Sequence, residues 1–256
     1  MSLAADAREV RQYDGEAVET LAARWQLAAV HAYDAVGSTL DVAHSLAPSA
    51  ASGTLVIANE QTAGRGRHGR RWTSAPGAGV WLTLVERPTD ARALDVLALR
   101  CGLYAAEALD DLAGATVRVK WPNDLYVAGG KLAGILIETR WRGTAPEWVA
   151  IGFGLNVVAP DVPTAAGLSS GVTRIAALDC LVPALRRAAA ASRHLSDAEL
   201  ARWRERDLSV GRLIAEPTSG VVQGISSNGE LLVASEGQIT AHRSGSLTFA
   251  EPLSCS

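Results

Sequence analysis

Nine consecutive residues, Gly64-Arg65-Gly66-Arg67-His68-Gly69-Arg70-Arg71-Trp72, hold four arginines and three glycines, a formal charge of +4 in a chain whose total is −3. Guanidinium forks match the oxygens of phosphates and carboxylates, and glycines let a backbone bend close around such a group. The stretch is a candidate cradle for a polyanion; a solvated basic loop is the plain alternative. With nothing to neutralise them the charges repel, so the sequence predicts a loop that orders on binding. A nucleic-acid patch fits less well, because Trp72 is the sole aromatic in the stretch and the chain as a whole is acidic.

Three further stretches carry residues suited to chemistry. In Lys120-Trp121-Pro122-Asn123-Asp124, proline holds the residue before it extended and the Asn and Asp side chains can close a turn, which a strand end explains as well as a ligand contact does. In Gly129-Gly130-Lys131-Leu132-Ala133-Gly134-Ile135-Leu136-Ile137-Glu138, a lysine opens an otherwise apolar strand whose small residues would let a flat group approach the backbone. Gly152-Phe153-Gly154-Leu155-Asn156-Val157 ends a strand on alternating glycines without the dinucleotide-binding pattern. Of the 24 basic residues only Lys120 and Lys131 are lysine, and both fall in these stretches. A position that keeps Lys in so Arg-rich a chain suits a compact ammonium better than a planar guanidinium. No P-loop, Ser-His-Asp set, metal-ligand spacing or paired carboxylates stand out.

The elements that must position these residues follow from periodicity and punctuation. Residues 1–33 read as helical, with Leu21, Trp25, Leu27, Ala28 and Val30 as the apolar positions. A turn at 36–39 leads into a helix near 39–47, capped by Ser38 or Thr39. Strands are expected at 54–59, 80–86, 116–121, 124–128, 131–140 and 147–153, the fourth and fifth of these joined by a hairpin at Ala128-Gly129-Gly130. Helices are expected at 90–113, 173–192 and 197–207. After Asp207 short strands alternate with turn signals at Ser227-Asn228-Gly229 and Ser235-Glu236-Gly237, the texture of a small β-barrel or sandwich.

Composition bounds the rest. A chain of 256 residues that is 48% hydrophobic and 20% charged folds around a sizeable core and is not disordered. The acidic start argues against a signal peptide, and no apolar run approaches the ~20 residues of a membrane span. Cys101, Cys180 and Cys255 are scattered, which argues against a zinc site or disulfide framework and for a reducing, cytoplasmic setting.

Taken in order, GRGRHGRRW, KWPND, KLAGILIE and GFGLN, with Ser38-Thr39 and Gln61 upstream, resemble the biotin protein ligases, over roughly residues 34–207. The resemblance implies an α/β (α+β) fold: a mixed-sheet catalytic domain of the biotin/lipoate ligase type over 1–207, then an SH3-like barrel over 208–256. It implies ATP-dependent attachment of biotin to a lysine of a biotin carboxyl carrier protein, through biotinyl-5′-adenylate. Ser38, Thr39 and Gln61 would hydrogen-bond the biotin ring, Gly134 and Leu136 would line its slot, and Arg65, Gly66 and Arg67 would close over biotin and the adenylate phosphate. Lys131 would meet carboxylate and phosphate. Arg67, Arg70, Trp72, Asn123, Lys131, Asn156 and Trp203 would serve the nucleotide, and Asp124, counted with Arg65, Arg67 and Lys131 as catalytic, would orient the incoming amine. Mg²⁺ would ride on phosphates and water rather than on a protein motif. Leu40 departs from the family's frequent Asn, so no side-chain hydrogen bond is available there. About 33 residues leave no room for a winged helix, which implies a ligase that does not bind DNA; no membrane partner is expected, and a homodimer is compatible. A lipoate or octanoate ligase and a biotin sensor without turnover are the alternatives.

Overall fold

Two residues decide the N-terminal segment. Asp14 and Gly15 both adopt positive φ, 50° and 82°, so the chain turns where a helix was expected. The computed structural model describes residues 8–191 and 193–251. It shows strands β1 (Glu9–Val10), β2 (Gln12–Tyr13) and β3 (Glu16–Ala17) and then a short helix, α1 (Val18–Arg24). Leu21 and Trp25 are buried at helical spacing, but Gln26 at φ 53° ends the turn. Residues 29–36 alternate in burial and form β4 (Ala29–Val36). The reading of 1–33 as helical is therefore corrected for the described residues: a period-2 pattern in AVHAYDAV had been merged with a real but short helix. Its first seven positions, like Cys255, lie outside the described residues.

From Ser38 onward the elements fall close to expectation. Ser38 caps α2 (Thr39–Leu46), its hydroxyl accepting from the Leu40 N–H. Strands β5 (Thr54–Gln61) and β6 (Gly79–Glu86) follow. The expected helix at 90–113 is divided into a 3-10 stretch over Ala91–Val96 and α3 (Leu97–Ala113), which ends on Gly114 at φ 65°. Next come β7 (Arg118–Lys120), β8 (Asp124–Val127), β9 (Gly130–Arg142) and β10 (Ala145–Asn156). Then α4 (Arg174–Ala190) is followed by α5 (Asp197–Arg206), which opens on a Ser196/Glu199 capping box. The last elements are β11 (Leu213–Glu216), β12 (Gly220–Ile225), β13 (Leu231–Ser235), β14 (Gln238–His242) and β15 (Thr248–Phe249).

The large sheet has the order β1-β4-β5-β6-β10-β9-β8-β7, with β4 and β5 parallel across α2 and the other neighbours antiparallel. Strand β5 is buried on both faces. Leu55 and Ile57 join the main core with α3 and α4, while Val56 and Ala58 join a smaller cluster with Val42 and Ala43 of α2. The second sheet, β14-β13-β12-β11-β15, is antiparallel, and the whole is a mixed α/β fold ending in a small β-sheet. The two sheets meet at named contacts. The Trp121 indole N–H donates to the Gly229 carbonyl at 3.0 Å, and Gly229 sits so close to Val96 and Leu99 that a Cβ there would lie 2.7 Å from Leu99 Cδ1. Arg100, 1% exposed, pairs with Glu199 at 2.6 Å and ties α3 to α5.

Candidate active site: a cationic cavity under the 64–72 hairpin

The four motif stretches converge on one cavity. Its walls carry six cationic side chains, Arg65, Arg67, Arg70, Arg71, Lys120 and Lys131, against a single carboxylate, Asp124. Local geometry explains how each is aimed.

Residues 64–72 form a hairpin whose backbone is internally bonded, Gly66 N–H to the Arg70 carbonyl at 2.8 Å and Trp72 N–H to that of Gly64 at 2.9 Å. The turn is made by His68 and Gly69 at φ 55° and 71°. The stretch expected to order on binding is a folded hairpin here: two cross-strand hydrogen bonds and a half-buried indole offset the like-charge repulsion. Trp72 lies across a paired Gly134 and Gly154 on neighbouring strands β9 and β10. A Cβ on Gly154 would stand 2.6 Å from Trp72 Nε1, and one on Gly134 would stand 3.0 Å from its ring. The flat group that these small residues admit is the protein's own indole.

Lys131 is set by a β-bulge. The β8–β9 register slips between Leu125 and Tyr126, and bulges re-aim side chains in this way. The Lys131 N–H donates to the Thr164 carbonyl at 2.8 Å, and its carbonyl accepts from Ala166 N–H and Asn156 Nδ2. Its ammonium reaches Asp124 at 2.7 Å and stands 5.3 Å over the Trp72 ring. Asn123 donates through Nδ2 to the Ile135 carbonyl at 2.7 Å and accepts from Arg67 at 3.3 Å, so the Pro122–Asp124 turn is pinned to β9 and in turn fixes a flap arginine. Burial lowers the Arg67 pKa, with Arg70 adding to the effect and Asp124 opposing it. Burial likewise lowers Lys120, helped by Lys131 and Arg70 and opposed by Asp124. Both cations are held against desolvation, a cost that an arriving anion would relieve.

The other end of the cavity is apolar and neutral. Leu40, Leu82, Ile135, Leu136 and Phe153 line it. At its edge the buried Thr83 hydroxyl donates to Thr39 Oγ1 at 2.8 Å, while Thr39 donates from its hydroxyl and its N–H to Gln61 Oε1. Gln61 Nε2 donates to Ser74. Leu40 packs on Gly152, where a Cβ would lie 3.1 Å from Leu40 Cδ1.

Not every expected residue converges here. Trp203 is buried in the core, 2% exposed, and donates to Asp207 at 3.2 Å; it does not line the cavity and cannot cover a base there. Asn156 is likewise outside the walls and acts on the Lys131 backbone. The Arg65 guanidinium is already matched by Asp41 and Glu138 at 3.0 and 3.2 Å. Residues to which sequence reasoning assigned no site role include Lys120 and Phe153, which line the cavity with Ser246 and Leu247 from the loop before β15, and Thr83, which bonds Thr39 at its edge. Only Lys120 carried a signal, as one of two lysines in the chain.

A mixed sheet carrying an arginine-rich hairpin over a cationic cleft, with a small antiparallel β-sheet at its end, defines a mixed α/β protein. Residues 34–156 match the biotin/lipoate A/B protein ligase family. The biotin–[acetyl-CoA-carboxylase] ligase of Paracoccus denitrificans is 34% identical over 224 residues, spanning 77% of this chain and 90% of that protein. The bifunctional ligase/repressor BirA of Bacillus subtilis is 40% identical over 127 residues, 49% of this chain and only 39% of the relative's length. The biotin protein ligase from Aquifex aeolicus, solved in complex with biotin and ATP, superposes with a TM-score of 0.72 at 25% identity, covering 86% of this chain and 99% of that one. The chain belongs to the biotin/lipoate A/B protein ligase family.

Proposed function

We propose that this protein joins biotin to a lysine of a carboxylase carrier domain in two steps, through biotinyl-5′-adenylate. The observation that carries this reading is the wall of six cations against one carboxylate, set beside an apolar slot that ends on the Thr39–Gln61 pair. An apolar slot with neutral hydrogen-bonding groups suits a neutral bicyclic ring with an aliphatic tail. The cationic end suits a carboxylate meeting a polyphosphate. The relatives' names, and the biotin and ATP held by the Aquifex protein, support the same assignment.

In the first half the biotin carboxylate attacks the α-phosphorus of ATP and pyrophosphate leaves. The electrostatic obstacle is one anion approaching a nucleotide of about four negative charges, and catalysis here is positioning and neutralisation. Lys131, aimed by the bulge, and Arg67, fixed by Asn123, are the charges best placed for it; Arg70 and Lys120 extend the field. Trp72 and the hairpin shut water away from the mixed anhydride. In the second half a carrier amine attacks the acyl carbon and AMP leaves. Asp124, hydrogen-bonded to Lys131, is the acceptor available to orient that amine. Among the described residues no group of three metal-binding side chains occurs, and the cavity's one carboxylate is paired. A Mg²⁺ ion would supply charge neutralisation when bound and would be held by the nucleotide's phosphates, with Asp124 and Asn123 the oxygen donors within reach. A cytoplasmic setting accords with Cys101 and Cys180 as free thiols, Cys101 being buried with its pKa pushed up to about 12.

Incubation with biotin, MgATP and a biotin carboxyl carrier domain should add the mass of a biotinyl group to one lysine of the acceptor. A mass gain with lipoate or octanoate and none with biotin would reassign the substrate within the family.

A further inference from the structure

The geometry points to Asp41 and Glu138 as positioning residues that latch the 64–72 hairpin shut through Arg65. Asp41 lies in the first turn of α2, whose N-terminus carries Ser38 and Thr39 at the slot. Glu138 lies on β9, two residues beyond Leu136. Both carboxylates meet the same guanidinium nitrogen, at 3.0 and 3.2 Å. Arg65, although it lines the cavity, is thus already matched by carboxylates, whereas Arg67 is held against Asn123.

Glu138 is itself held. His44 Nε2 meets the same Oε2 at 2.7 Å, and His44 Nδ1 accepts the Trp148 indole N–H at 3.2 Å. With Nδ1 serving as an acceptor, the neutral ring carries its proton on Nε2 and donates it to Glu138. A chain of contacts thus runs from the largely buried Trp148 of β10 through His44 and Glu138 to Arg65. A second tie lies nearby, Arg71 donating to the Thr62 carbonyl at 2.7 Å.

Single ion pairs at this exposure (Arg65 38%, Asp41 60%, Glu138 32%) shift an equilibrium only a few-fold. A few-fold change is enough for a flap, whose task is to remain closed while an intermediate waits and to open for the acceptor. The latch rests on the ligase reading for its purpose, though not for its geometry.

Amide hydrogen exchange of residues 64–72 in the full chain tests the latch without substrate. Asp41→Asn and Glu138→Ala should each raise exchange there about two- to five-fold, and the double variant further, with the core unaffected. In turnover with biotin, MgATP and carrier, the double variant should release more AMP per acceptor biotinylated, because water reaches the anhydride, and KM for biotin should rise more than kcat falls. Glu138→Gln, which keeps an acceptor for Arg65 and His44, should recover most of the single-variant loss. Unchanged exchange and unchanged AMP-to-product ratio in the double variant would overturn the latch. Should Glu138→Ala fail to fold, Arg65→Gln cuts the same tie from the exposed side, and unchanged exchange there overturns it equally. A wild type that forms no adenylate while the exchange pattern appears would remove the ligase reading and leave the latch.

Discussion

Neighbouring arginines in one hairpin have divided labour. Arg65 is matched by carboxylates, Arg71 is tied to a backbone carbonyl, and Arg67 lies against the cavity wall with its charge partly desolvated. A charge-assisted hydrogen bond contributes about 1.5–3 kcal/mol, so Arg67→Ala should lower kcat/KM for biotin-dependent pyrophosphate release about 10–100-fold. The change is to be read in the first half-reaction without carrier. Lys120 offers a stability test of the same field. Its folded-state pKa is lowered chiefly by burial, so the charged form costs stability, and that cost is full below the folded value. It is relieved as pH rises through that value toward the ~10.4 of an unfolded chain. Lys120→Met should accordingly unfold at higher temperature than the wild type near pH 7, with the gap narrowing toward pH 10. A gap independent of pH would show that the methionine gains by packing alone.

Between elements, the glycine pair across β9 and β10 is what lets the hairpin sit down. Trp72 rests on Gly134 and Gly154 and meets Trp81 edge-on, with ring centroids 6.5 Å apart. Gly154→Ala would drive a methyl to 2.6 Å from the indole nitrogen, against only 3.0 Å to the ring edge for Gly134→Ala. The indole must therefore lift off its platform, and adenylate formation should fall at least about 10-fold in Gly154→Ala and less in Gly134→Ala, since a misplacement of ~1 Å can cost about 10²-fold. Tryptophan fluorescence reports the displacement, with a Trp72→Phe background identifying the emitter. Equal activity in the two alanine variants would show that the platform does not set the flap's seat.

Across the whole molecule, two joints hold the layers in register. Arg100 and Glu199 form a buried pair between α3 and α5, and the Arg100 guanidinium also donates to the His194 carbonyl at 2.9 Å. Removing one partner strands a buried charge, so Arg100→Ala should cost about 3–5 kcal/mol in denaturant unfolding. The double change Arg100→Met with Glu199→Leu should cost much less. The other joint brings Ser246 and Leu247, in the loop before β15, to the cavity wall, while Lys120 stands 5.2 Å from the Phe249 ring. Ser246→Asp, at a half-buried position, would set a new carboxylate in a wall whose charge favours anions. It should raise the KM for ATP by about 10-fold and leave the biotin KM nearly unchanged.

The local order was legible in the residue string because it is fixed by short-range rules. Ser38 caps, Gly114 terminates, Ala128-Gly129 turns, and each acts within four positions of itself. The N-terminal segment shows the limit of that reading, where a short helix followed directly by an alternating strand blurred into one apolar pattern. Clustered cations and glycines marked a candidate anion site for the same short-range reason: their charge and backbone freedom belong to the residues themselves. Which arginine meets which carboxylate, that Trp203 is core, that Trp72 occupies the glycine platform and that residues 246–247 reach the cavity were decided by strand order and register. Those bring together positions up to about two hundred residues apart, and no local pattern encodes such distances.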